Sequence, residues 1–169
     1  MPSSVDLFGA SSGAIFSPDE RYRYSLWRIW DTALPVLLFL MLNPSKANAS
    51  DNDPTVERCQ RRSIQLGFGG LFVANLFGLV STDPTVLKGH PDPVGPENDE
   101  AIMIAARQAG MVICGWGTHG QLNGRGERVL TMLREALIQP YCLLQNSDGS
   151  PGHPLYVPYD RKPIPLEIG

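Results

Sequence analysis

Lysine, cysteine and histidine are scarce in this chain of 169 residues, with three of each. The cysteines, Cys59, Cys114 and Cys142, are odd in number and far apart, with no CxxC pair. That pattern excludes a disulfide framework and a cysteine-based zinc or iron–sulfur centre, and it suits a reducing cytoplasm. His90, His119 and His153, taken with Asp51 and Asp53, match no HxH, HxxxH or HExxH spacing, so neither a metal nor another cofactor is expected. No apolar run approaches the ~20 residues of a membrane span, so no membrane association is expected. The N-terminal MPSSVDLFGASSG has neither the basic region nor the apolar stretch of a secretory signal. The glycines of GTHGQLNGRG lack the GxxxxGK[ST] spacing of a phosphate loop, and there is no GxSxG elbow for a serine nucleophile. Positive charge is not in excess either: 14 basic against 17 acidic residues gives a net charge of −3. A global field that would draw in nucleic acid is therefore missing.

Glycine and proline, by contrast, are plentiful at 17 and 15 residues. Much of the chain must lie in specified turns and loops, where binding and catalytic groups concentrate. Hydrophobic residues make up 43% and charged residues 18%, a composition that excludes disordered, coiled-coil and collagen-like classes. The length predicts a single domain over 1–169, with 1–12 as a flexible arm and 155–169 as an irregular tail. Among the basic residues arginine outnumbers lysine eleven to three. Arginine is the better group for bidentate contact with phosphate or carboxylate, so a local basic patch stays open.

Hydrophobic patterning predicts an α/β domain. GAIFS and RYRYSLWRIWD read as an N-terminal β-hairpin around Pro18-Asp19-Glu20. LPVLLFLML is an uninterrupted apolar run, as in a parallel strand buried on both faces. Asp53 as N-cap and Pro54 as the first helical residue open a helix over TVERCQRRSIQL, which Gly67 closes. GLFVANLFGLV, MVICGWG and YCLLQNS read as further strands, EAIMIAARQAG and GRGERVLTMLREALI as helices, and STDPTVLKGHPDPVGPEND as a long loop. This alternation predicts three α/β/α layers around a central, mainly parallel four-stranded sheet, with the hairpin added. Ligands in such folds bind beyond the carboxyl ends of the strands.

Four loops should converge there. Asn43-Pro44-Ser45 follows the first core strand, and an amide at that exit can orient a water or a polar substrate edge, or simply cap the turn. Asn75 can offer a donor and an acceptor side by side, as the edge of a nucleobase requires, or be a satisfied buried amide. Phe77 could stack on a base or be core. Trp116 and Gly117 end the third core strand. His153, between Gly152 and Pro154, can donate to an anion developing on a leaving group.

The segments RYRYSLWRIWD, MLNPSKANASDNDPT, GGLFVANLFGL, DPVGPENDEAI, CGWGTHG and GHPLYVP together resemble the bacterial domain-of-unknown-function family 1643 over nearly the full chain. More distantly, the order of the four loops is similar to the uracil-DNA glycosylase superfamily. Asn43-Pro44 stands where those proteins place a water-directing residue, Asn75 where they read the base, Trp116-Gly117 at the strand turn and His153-Pro154 in the His-Pro loop. The glycine before Asn43 and the serine after Pro154 are missing, and Asp51-Asn52-Asp53-Pro54-Thr55 has no counterpart.

That second resemblance implies an N-glycosidic hydrolase acting on a nucleobase, in DNA or otherwise. His153 would stabilise the base anion, Asn43 would hold the attacking water, and Asn75 would read the base with Phe77 against its ring. Pro44, Ser45, Trp116 and Gly117 would complete the substrate site. Phosphate contacts would fall to Arg58, Arg61 and Arg62, or to Arg125 and Arg128, whose other reading is an ordinary solvated helix face. Two alternatives remain open: an enzyme of the same fold acting on free nucleosides or nucleotides, and a nucleobase-binding module without catalysis. The sequence leaves the oligomeric state undetermined.

Overall fold

The computed structural model describes residues 3–5 and 11–166. A single mixed sheet of eight strands runs through the molecule in the order β1-β2-β3-β5-β4-β6-β7-β8. The strands are β1 (Ser3–Val5), β2 (Ser11–Phe16), β3 (Arg23–Ile29), β4 (Val36–Met41), β5 (Gly70–Asn75), β6 (Met111–Cys114), β7 (Pro140–Cys142) and β8 (Ile164–Pro165). The helices are α1 (Pro54–Gln65), the single turn α2 (Val86–Gly89), α3 (Asn98–Gln108) and α4 (Arg125–Glu135), with 3-10 turns at 118–124 and 154–156. The fold is thus mixed α/β. Among the described residues no helix is long and apolar enough to cross a membrane.

Strand β4 pairs in parallel with β5 on one side and β6 on the other, and β6 pairs in parallel with β7. The remaining pairings are antiparallel. The β2–β3 hairpin is not an addition beside the sheet: β3 pairs with β5 and makes the hairpin part of it. Of the segment expected as an arm, residues 3–5 and 11–12 are paired strand, and 1–2 and 6–10 lie outside the described residues. The expected tail carries the turn at 154–156 and β8, and its residues 167–169 also lie outside them.

The unbroken apolar run of β4 is explained by burial on both faces. Leu37, Phe39 and Met41 pack with Val56 and Cys59 of α1. Leu38, Leu40 and Leu42 pack with Ile102 and Ala105 of α3 and Val129 and Leu133 of α4. Asp53 caps α1, its Oδ1 accepting from the Val56 amide at 2.8 Å, and Pro54 occupies the first turn, where an N–H would have no helical partner. From β4 the chain passes through α1 to β5 on one side, whereas β6 passes through α4 to β7 on the other. This reversal of direction opens a crevice at the carboxyl ends of β4 and β6.

Candidate functional site

A cleft of about 570 Å³ occupies that crevice. It is bordered by the segments leaving β4, β5, β6 and β7 and by the His153 loop. Asn43, Pro44, Ser45, Asn75, Trp116, Gly117 and His153 all line it. Close packing brings the loops together. A Cβ on Gly115 would fall 2.8 Å from the Pro154 ring, and one on Gly120 would fall 2.1 Å from the Trp116 ring. Both glycines therefore provide approach that no other residue allows.

The amide of Asn43 is held by backbone. Its Nδ2 donates to the carbonyls of Ser81 at 2.9 Å, Pro44 at 3.2 Å and Leu79 at 3.3 Å. Those three acceptors assign the nitrogen and leave Oδ1 as the end with spare hydrogen-bonding capacity. Asn75 is held in the opposite sense. Its side chain is almost fully buried, and Oδ1 accepts from Arg23 Nη2 at 3.4 Å, so Nδ2 is the end left to a ligand. His153 is fixed by its own loop: Nδ1 accepts from the Leu155 amide at 3.2 Å. The neutral ring then carries its proton on Nε2, a donor. Burial pushes His153 below the ordinary imidazole range, and the nearby Asp53 carboxylate opposes that shift. The three side chains thus have assigned polarity: Asn43 accepts, and Asn75 and His153 donate.

Several residues that line or support the cleft were not singled out by sequence reasoning. Arg23 of β3 is 2% exposed, donates from Nη1 to the Ala47 carbonyl at 3.1 Å, and borders the cleft. Burial pushes its guanidinium down to about 10, and Asp53 acts against that change. Arg28, on the same strand, donates to the carbonyls of Trp27, Asn48, Ala49 and Asp51 and to Asn52 Oδ1, and so shapes the loop before α1. Asp53, which the sequence did single out as the N-cap of α1, also lines the cleft, with Oδ1 on the Val56 amide and Oδ2 accepting from the Ala47 amide at 3.4 Å. Tyr156 stands at the border, 80% exposed, its ring 5.7 Å from that of His153. The available signal for Arg28 was its position two residues from Leu26, which puts both on one face of the strand.

The other expected residues lie elsewhere. Phe77 is fully buried in the core with Leu76 and Ile102 and does not line the cleft. Arg58 donates to the Pro154 and Val157 carbonyls at 3.0 and 2.6 Å. Arg62 reaches the carbonyls of Val157, Pro158 and Arg161, and both guanidiniums lie over the Tyr159 ring. Arg61 is on the surface with Glu57 as partner. Arg125 is buried, bonded to the Leu76 carbonyl and to the Asp99 carboxylate. Arg128 does not line the cleft. Among the described residues there is no group of three or more His, Cys, Asp or Glu side chains placed to hold a metal ion.

No curated protein and no solved structure matches the chain. A family model does, over residues 23–155, which take in β3 through His153 and every cleft-lining residue named above except Tyr156. The chain belongs to that family, described as a protein of unknown function, DUF1643.

Proposed function

We propose that the cleft binds a nucleobase and hydrolyses the N-glycosidic bond that joins it to its sugar. The observation that carries this reading is the convergence of Asn43, Asn75 and His153 on one cleft, with an acceptor at one residue and donors at the other two. A three-layer α/β/α domain with the β5-β4-β6-β7 strands as its parallel core, as in the uracil-DNA glycosylase superfamily, would carry such a site at this end of the sheet.

Cleavage of the bond builds positive charge on the sugar and negative charge on the base, so its acceleration is largely electrostatic. A water donating to Asn43 Oδ1 is turned so that an oxygen lone pair can attack the anomeric carbon. As the new carbon–oxygen bond forms, the carbon–nitrogen bond breaks and its electron pair leaves on the base. His153 Nε2–H stabilises that pair, and the proton lost by the water reaches the base through solvent. Asn75 Nδ2 donates to an acceptor on the base edge. Tyr156, rather than Phe77, offers an exposed ring for stacking. Asparagine is a poor general base, so turnover is slow.

A free nucleoside or nucleotide fits better than a base within DNA. Arg58, Arg62 and Arg125 are engaged with internal carbonyls or a carboxylate, leaving no track of free cations beside the cleft from that set. The test is release of free base from nucleosides, nucleotides and oligonucleotides carrying uracil, hypoxanthine or other damaged bases. Release that Asn43→Ala and His153→Ala abolish supports hydrolysis. Thermal stabilisation by ligand without release would leave a binding module. A panel that gives no release and no stabilisation overturns the reading.

A further inference from the structure

Arg23 has two hydrogen-bond partners, as buried Arg125 does, but neither of them is a carboxylate. One N–H on Nη1 meets the Ala47 carbonyl, another on Nη2 meets Asn75 Oδ1 at the long distance of 3.4 Å, and the enclosed Nε has no partner. Arg28, by comparison, has five acceptors, and Arg125 has a carboxylate in direct contact. No ion pair joins Arg23 to a carboxylate among the described residues. The nearest candidate, Asp53, is close enough to act through space but gives its two oxygens to the Val56 and Ala47 amides. A buried guanidinium held this way is poorly compensated. It is also in the cleft wall, beside Asn75 Nδ2, which has no acceptor of its own among the described residues. The two side chains make a donor-rich patch with one fixed positive charge, the arrangement that suits an anionic oxygen group.

We propose that Arg23 binds a phosphate group of the ligand while Asn75 beside it reads the base, so that the cleft takes nucleotides in preference to nucleosides. This rests on the nucleobase reading of the cleft, since phosphate is the anion that accompanies a base. The phosphate could belong to a free nucleotide or to a short single strand, and both supply the same oxygens to the guanidinium.

The test compares dissociation constants of the intact protein for a set of nucleosides, their 5′-monophosphates and a short single-stranded oligonucleotide of the same base. The monophosphate should bind about tenfold or more tightly than its nucleoside, as a charge-assisted hydrogen bond provides. Arg23→Gln should bring the monophosphate's dissociation constant to that of the nucleoside, whatever loss the two share from the freed Asn75 amide, and Arg23→Lys should keep part of the monophosphate's advantage. An oligonucleotide that binds as well as the monophosphate, with the same loss in Arg23→Gln, assigns the phosphate to a strand; weaker binding assigns it to the free nucleotide. If Arg23→Gln does not fold, the wild-type protein with 15N-labelled arginine gives the same answer. The Arg23 Nε–H signal should then shift further with monophosphate than with nucleoside. Nucleoside and monophosphate binding equally well, or an advantage that survives in folded Arg23→Gln, overturns the phosphate site and leaves the nucleobase reading standing. Binding of neither class overturns both.

Discussion

Asn43 illustrates how a residue can serve the fold and the site through the two ends of one amide. Its nitrogen ties the exit of β4 to the segment around Leu79 and Ser81, and its oxygen is left to the cleft. Asn43→Ala should lower stability by about 1–3 kcal/mol, because three carbonyls lose a donor. Asn43→Asp should be worse at neutral pH, since it sets a charged oxygen against those carbonyls. Urea denaturation of both variants checks the order. An aspartate variant as stable as the wild type would contradict the amide orientation. His153 makes a pH-dependent contribution whose sign follows from its depressed pKa. The unfolded chain takes up a proton near the ordinary imidazole value of 6.5 while the folded imidazole stays neutral to lower pH. Its contribution is therefore fully present above that value and is lost as pH falls through the folded pKa. Melting temperatures should show the wild type losing ground to His153→Gln as pH falls below about 6.5; parallel curves would contradict a half-buried neutral histidine.

At the scale of elements, the clearest consequence concerns α1 and the segment after His153. Arg58 and Arg62 hold that segment by its carbonyls, with Tyr159 against both guanidiniums. Arg62→Ala should destabilise the protein by about 2–4 kcal/mol through the loss of several charged hydrogen bonds. It should also open residues 155–163 to limited proteolysis before the sheet unfolds. Cleavage of the variant no faster than the wild type would show that the clamp is not what secures the segment. The regular elements were mostly legible in the sequence because each carries a local signal: the apolar run of β4, the Asp53-Pro54 start of α1, Gly67 beyond its end. The short turn α2 and the two-residue β8 carry none, since their placement depends on neighbours distant in sequence. The arginines resisted reading for a related reason. Arginine in a helix is ordinarily solvated, and nothing local distinguishes Arg62, 1% exposed, from Arg61 on the surface. Phe77 was open between two readings: in VANLFGL either of two faces could have taken the ring, and the packing of α3 decided for the core.

For the whole molecule, the strand order explains why residues as far apart as Asn43 and His153 share a cleft. The topological reversal beside β4 makes the crevice, and the glycines at 115 and 120 let the flanking loops close on it. Convergence of the loops could be expected from the α/β alternation alone, but the polarity of the site could not. That polarity depends on backbone carbonyls at 44, 79 and 81 and on a buried arginine from an antiparallel strand. The central claim is that this polarity serves hydrolysis of an N-glycosidic bond. Chromatographic measurement of free base released from a panel of nucleotides and nucleosides tests it most directly. The account predicts slow release of at least one base by the wild type and a loss of about a hundredfold or more with His153→Ala, the scale of removing one donor to a developing anion. Release that is undetectable across the panel, or unchanged in folded His153→Ala, would contradict it.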